Sequence, residues 1–145
     1  MAKFAATDVR VSINGTDWSS YIAGVTLTYS YAELDVTAFT NPGKVSAQGL
    51  IEGELKLDFH QDFAGGTASL DTTLWTLTTA TTLATVVITP QGSTVGTNNP
   101  RYTVTCRPLS YEPLAVGAVG DLATVSVTWP LAANGTVSPV VRTTA

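Results

Sequence analysis

Apolar and polar residues alternate most cleanly in the stretch LIEGELKLDFHQDF, residues 50–63. From Gly53 onward, Leu55, Leu57, Phe59 and Phe63 fall on one side, and Glu54, Lys56, Asp58, His60 and Asp62 fall on the other. A period of two marks a half-buried strand. The same period runs through DVRVSI, where Val9, Val11 and Ile13 are in phase and Asn14-Gly15 signals a turn. In GVTLTYSY, Val25, Leu27, Tyr29 and Tyr31 oppose Thr26, Thr28 and Ser30. LATVVIT, RYTVTCRPLSYEP and GDLATVSVTWP supply further strands. In the last of these, Val125, Val127 and Trp129 alternate with Thr124, Ser126 and Thr128, and Leu122 is out of phase. SLDTTLWTLTTAT (69–81) instead repeats Leu70, Leu74 and Leu77 behind Ser69, a candidate N-cap, which predicts one helix. Its threonines make it a weak helix in isolation, so it is expected to depend on packing against a sheet.

Two segments lack a clean period. Residues 32–49, AELDVTAFTNPGKVSAQG, contain Asn41-Pro42-Gly43 and read as a long loop, of a length that is usually functional or partner-bound. Residues 131–145 read as a C-terminal arm or partly ordered tail. Six or seven strands with one helix predict a mainly β fold. The expected architecture is an antiparallel β-sandwich or partial barrel with one flanking α-helix, with residues 1–130 as a single domain.

Charge is scarce. Charged residues make up 12% of the chain against 44% hydrophobic ones, about half the usual charged fraction. The 25 threonines suit pleated surfaces. A small protein with so few charges is expected to have much of its surface covered by other subunits. The net charge of −4, with seven scattered Lys and Arg residues, argues against a nucleic-acid grip, which needs clustered cations. Cys106 is the single cysteine, so no intrachain disulfide is possible. MAKFAATDVR has no apolar core of signal-peptide length and no run approaches a membrane span, so synthesis in a cytoplasm and no membrane partner are expected. The NGT triplets at Asn14 and Asn134 read as turns.

The charged face of residues 52–62 invites chemical readings. Alternate strand residues lie about 6.6–7 Å apart. Asp58, His60 and Asp62 would therefore need ligands from neighbouring strands to hold zinc, whose bonds are about 2.0–2.2 Å. There is no second histidine, and Cys106 shares its phase with Tyr102 and Val104, as a buried hydrophobe would. No Gly-x-Ser-x-Gly elbow accompanies His60, and VGAVGD lacks the Lys-Ser/Thr ending of a phosphate loop. A sugar-binding, Ig-like module could use Trp18, Trp75 and Trp129. However, Trp75 sits in the helix and Trp129 continues an apolar phase, so both read as core, while Trp18 lies beside a turn. No catalytic, metal or cofactor site is expected. What stands out is charge: Glu52, Glu54, Asp58 and Asp62 against Lys56 leave three net negatives on one strand, most of the chain's total. An ordinary solvated face would mix the signs more evenly.

DWSSYIAGVTLTYSYAELDVTAF, GELKLDFHQDF followed by LDTTLWTL, NPRYTVTCRPLSYEP and VGDLATVSVTWP occur in this order over roughly residues 8–130. Together they resemble the major tail (tail tube) proteins of long-tailed double-stranded DNA bacteriophages. Capsid decoration and head-tail connector proteins of phages share small β-sandwiches and give the alternative reading. The resemblance implies a non-enzymatic virion protein. It would form hexameric rings that stack into a hollow tube, with tape-measure and tail terminator proteins as further partners. Strands of all subunits would line a channel through which genomic DNA passes without specific binding. Glu54, Lys56, Asp58, His60 and Asp62 would then line the channel. The long loop, with Leu34, Val36, Phe39, Asn41 and Pro42, would reach the adjacent ring. DNA carries about one negative charge per 1.7 Å of helix axis, so an acidic, hydroxyl-rich wall would let it slide. Lys56, Arg101 or Arg107 on the same wall would weaken that effect.

Overall fold

The computed structural model describes residues 5, 7–63, 69–92, 94–114, 116 and 118–144. Among the described residues, eight strands and one α-helix follow one another: β1 (Arg10–Ile13), β2 (Thr16–Asp17), β3 (Ile22–Asp35), β4 (Ser46–His60), α1 (Leu70–Thr79), β5 (Ala84–Thr89), β6 (Arg101–Cys106), β7 (Thr124–Pro130) and β8 (Val140–Thr143). They form two antiparallel sheets, one of five strands in the order β2-β1-β5-β6-β8 and one of three in the order β3-β4-β7. The fold is mainly β, as the alternation predicts.

The sandwich exists because each sheet turns one apolar phase inward. Val11, Ile13, Ala84, Val86, Ile88, Val104 and Cys106 come from the five-stranded sheet. Leu55, Leu57, Phe59, Val125, Val127 and Trp129 come from the three-stranded one, and Leu70 and Leu74 of α1 join the same cluster. Each fully buried side chain of this size contributes about 1.5–3 kcal/mol. Trp129 keeps its polar end satisfied by donating Nε1–H to the Ser110 carbonyl at 3.0 Å. Ser69 caps α1 by accepting from the Thr72 N–H at 3.2 Å. Asn14 and Gly15 both take positive φ, 49° and 87°, as a tight hairpin turn with a right-handed twist requires.

Several expectations need correction. Residues 32–49 are not one long loop, because β3 runs to Asp35 and β4 begins at Ser46, leaving only 36–45 between them. The period fails there because a β-bulge between Tyr31 and Glu33 shifts the phase, and both faces of the hairpin meet solvent. Trp75 is 61% exposed rather than core, and Phe63, beyond the end of β4, is exposed too. Trp18 is buried instead, tilted against Tyr21 with ring centroids 5.6 Å apart. In the tail, Val140–Thr143 pairs with β6, and Thr105 donates its N–H to Pro139 at 2.8 Å.

Candidate functional site

The charged residues of β4 lie on the outer face of the three-stranded sheet, opposite the core. Register fixes their neighbours. Glu54 faces Thr28 of β3 and Pro130 of β7, Lys56 faces Thr26 and Thr128, Asp58 faces Gly24 and Ser126, and His60 faces Thr124. Glu52 pairs with Ser30. The central strand therefore carries a row of charge flanked on both sides by small hydroxyls. Glu54 and Lys56 are exposed, while Asp58 and His60 are partly covered. Asp58 Oδ1 accepts from the Ser126 hydroxyl at 2.7 Å, and a methyl placed on Gly24 would sit 2.9 Å from its Oδ2. This carboxylate is tied into the sheet, whereas Glu52 and Glu54 are free to face solvent.

Asp62 lies beyond the strand that carries this face. β4 ends at His60, and Asp62 lies in the connection to α1, where its carbonyl accepts from the Asp71 N–H at 3.2 Å. Arg101 belongs to β6 in the other sheet, and Arg107 donates from Nη1 to the Thr81 carbonyl at 3.3 Å. Lys56 is thus the one Lys or Arg among the described residues of the three-stranded sheet. Among the described residues, no three His, Cys, Asp or Glu side chains group closely enough to hold a metal ion. The Cys106 thiol is pushed up to about 12 by burial, and so stays protonated.

Beyond Glu54, β4 loses its β7 partner and continues with β3 alone as a two-stranded arm. Six register pairs, from Tyr29 with Gly53 to Asp35 with Ser46, carry it about 20 Å past the sandwich. Its root is Gly53, where a Cβ would lie 2.1 Å from the Thr28 carbonyl oxygen, so only glycine lets the two strands approach there. Its tip is ordered by local bonds. Thr37 donates its N–H to Asp35 at 3.0 Å, Val45 donates to Thr37 Oγ1 at 2.7 Å, and Asn41 Oδ1 accepts from Ala38 at 2.6 Å. The bonds from Thr37 hold the Asp35 carboxyl below its usual range. Leu34, Val36, Val45 and Leu50 stand exposed on this arm, and Phe39 is fully exposed at its end. Asn41 shapes the turn, Pro42 follows it in the exposed tip, and the apolar side chains supply the sticky surface.

The two edges of the three-stranded sheet differ. Along the β3 edge a groove of about 820 Å³ opens between the sheets, lined by Val25, Leu27 and Tyr29 on one side and Ile88, Pro90 and Tyr102 on the other. Asp8 and Arg10 at its rim pair with each other at 2.8 Å. Along the β7 edge runs a strap, residues 107–114. Arg107 donates its N–H to Pro130 at 3.0 Å, and the Ser110 hydroxyl donates to Thr128 at 3.4 Å. Tyr111 anchors the strap: its hydroxyl donates to Asp71 and accepts from Gln61 Nε2 at 3.0 Å, while the same Gln61 amide donates to the Pro113 carbonyl at 2.7 Å. Leu109 and Leu114 on the strap remain exposed, as do Val119 and Leu122 after it. The sequence marks neither edge, because the groove is made by residues far apart in the chain.

No family model matches the chain, and no curated protein sequence matches it either. Solved structures do. A chain of the anti-feeding prophage tube-terminating cap superposes with a TM-score of 0.71 at 14% identity, covering 100% of this chain and 93% of its own. A chain of the native gene transfer agent virion gives 0.68 at 10% identity, covering 97% and 99%. A chain from the tail of the empty gene transfer agent particle, refined with C6 helical symmetry, gives 0.56 at 10% identity over 91% and 96%. The fold is one found in tail particles. At such low identity the likeness is one of fold alone, and it extends over nearly the whole length of each chain compared.

Proposed function

We propose that the chain is a structural subunit of a phage-type tail tube, with no catalytic role. The observation that carries this reading is the outer face of the three-stranded sheet. A charged central strand with acidic excess, flanked by threonine and serine on both neighbours, is the surface that a DNA conduit needs on its inner wall. Phosphate oxygens meet carboxylates that repel them and hydroxyls that hold them only weakly, so nothing on the wall retains the polymer. The fold likeness to gene transfer agent and anti-feeding prophage components supports the same placement.

In this reading Glu54, Lys56, Asp58 and His60 line the bore, with Asp62 at its margin. Rings, probed first as hexamers, form through the two edges of the sheet, and the arm carrying Leu34, Val36 and Phe39 reaches the next ring. Tape-measure and terminator proteins would be further partners in the virion. Electron microscopy of the purified protein tests the proposal: tubes or six-fold rings are expected, and a monodisperse monomer at high concentration would refute it. A second reading, a subunit of a ring that caps the tube, draws on the TM-score of 0.71 with the anti-feeding prophage cap. It predicts rings that never stack on themselves.

A further inference from the structure

The tube reading leaves open how one subunit grips the next within a ring. We infer that the strap of one copy, through Leu109 and Leu114, fills the groove beside β3 of its neighbour. This inference rests on the ring reading and adds the contact that would close the ring.

β3 and β7 are the opposite edges of one three-stranded sheet, so head-to-tail repetition of that sheet brings the β7 edge of one copy to the β3 edge of the next. Plain strand-to-strand continuation is blocked over part of that edge. The strap already occupies the free carbonyls of Thr128 and Pro130, which would otherwise bond a neighbouring strand. Contact must then pass through side chains the strap presents. Among these, Leu109 and Leu114 are the large apolar ones, and both are exposed in the single chain. The surface they would meet is the groove, whose walls Val25, Leu27, Tyr29, Ile88 and Tyr102 make largely apolar, with Ser19 and Ser20 beside them, and whose rim charges Asp8 and Arg10 pair with each other. Exposed leucines on one edge and a largely apolar groove on the other are the two halves of a heterologous interface. The arm is a poorer occupant, because its tip lies about 20 Å beyond the sandwich and leaves along the strand axis rather than across the sheet edge.

Cross-linking tests this directly. Leu114→Cys places a thiol on the exposed strap and Ala23→Cys places one on the groove wall, while native Cys106 is buried and held protonated. Oxidation of assembled mixtures of the two variants should give a disulfide dimer that neither variant gives alone. The two substitutions in one chain should give a ladder ending at the ring size. Rings that assemble normally but yield no mixed disulfide would overturn the strap-and-groove contact and leave the tail-tube reading standing. Absence of any ring or tube from the unmodified protein would remove that reading and this contact together. As a second measure, Leu109→Asp with Leu114→Asp should raise the concentration needed for ring assembly at least tenfold with an unchanged melting temperature. Unimpaired rings would again overturn the contact.

Discussion

The channel-wall assignment is tested most sharply by reversing charge where the structure shows that it costs least. Asp58 is a poor choice, since its carboxylate is bonded to Ser126 and packed against Gly24. Glu52 and Glu54 are exposed, and among the described residues no ion pair engages either. Replacing both by lysine turns the strand's outer row, Glu52, Glu54, Lys56 and Asp58, from two net negatives to two net positives. In a ring of six the swing is about 24 charges, and every ring repeats it. A protein making about 6–10 phosphate contacts loses about 10³–10⁵ in DNA affinity between 50 and 200 mM salt. The Glu52→Lys, Glu54→Lys variant should therefore assemble normally, stall DNA ejection at 50 mM salt, and recover most of its rate by 200 mM. Single-particle ejection kinetics at the two salt concentrations give the readout. If variant tubes eject at the unmodified rate at 50 mM, the acidic row does not face the DNA.

Three further outcomes follow from the geometry. Gly53→Ala drives a methyl to within 2.1 Å of the Thr28 carbonyl oxygen, which a side-chain rotation cannot relieve, so thermal melting should show a loss of about 1–3 kcal/mol or more; Gly43→Ala, with open space around it, should show far less. Tyr111, raised to about 12 by burial and then by its bond to Asp71, has a folded value above its ordinary 10.0. The stability it adds is therefore present below pH 10 and lost as pH rises through 12, so the melting advantage over Tyr111→Phe should shrink across that window, and a constant difference would count against the anchor. Phe39→Ser with Val36→Ser should leave melting and rings intact but shorten tubes in micrographs, and tubes of normal length would give the arm another task.

How far the sequence could be read depended on whether one face of an element was buried. Leu55, Leu57 and Phe59 alternate against Glu54, Lys56 and Asp58 because the core enforces the period, and register then delivers the flanking Thr26, Thr28, Ser126 and Thr128 to the same side. Where no core enforces it, the pattern dissolves. Leu34, Val36 and Leu50 sit on a hairpin wet on both faces, and the bulge after Tyr31 shifts the phase, so strand residues there look like loop. Periodicity also overreached. Phe63 keeps the apolar phase of β4 three residues past its last strand position, and Trp75 lies in α1 but on its outer side. Trp18 shows the reverse: no pattern announces it, and a 3-10 turn at Ser19–Tyr21 folds it inward. The strap and groove were illegible for a different reason, since they are relations between distant segments.

The scarcity of charge now has a spatial meaning. The chain's few acidic groups could serve solubility anywhere, yet Glu52, Glu54 and Asp58 share the outer face of one central strand, β4. Among the described residues, most of the exposed large apolar side chains sit on the arm, on the strap or in the segment after it. A decoration protein that binds a shell needs one adhesive face. This molecule has three directions of distinct chemistry: apolar along the arm, apolar across both edges of the three-stranded sheet, and acidic with hydroxyls on the face those edges enclose. Under the proposed assembly, repetition across the edges would generate a ring, and repetition along the arm would generate a stack. In the proposed ring the acidic, hydroxyl-flanked face of the three-stranded sheet would turn to the bore, where its chemistry repels a polyanion.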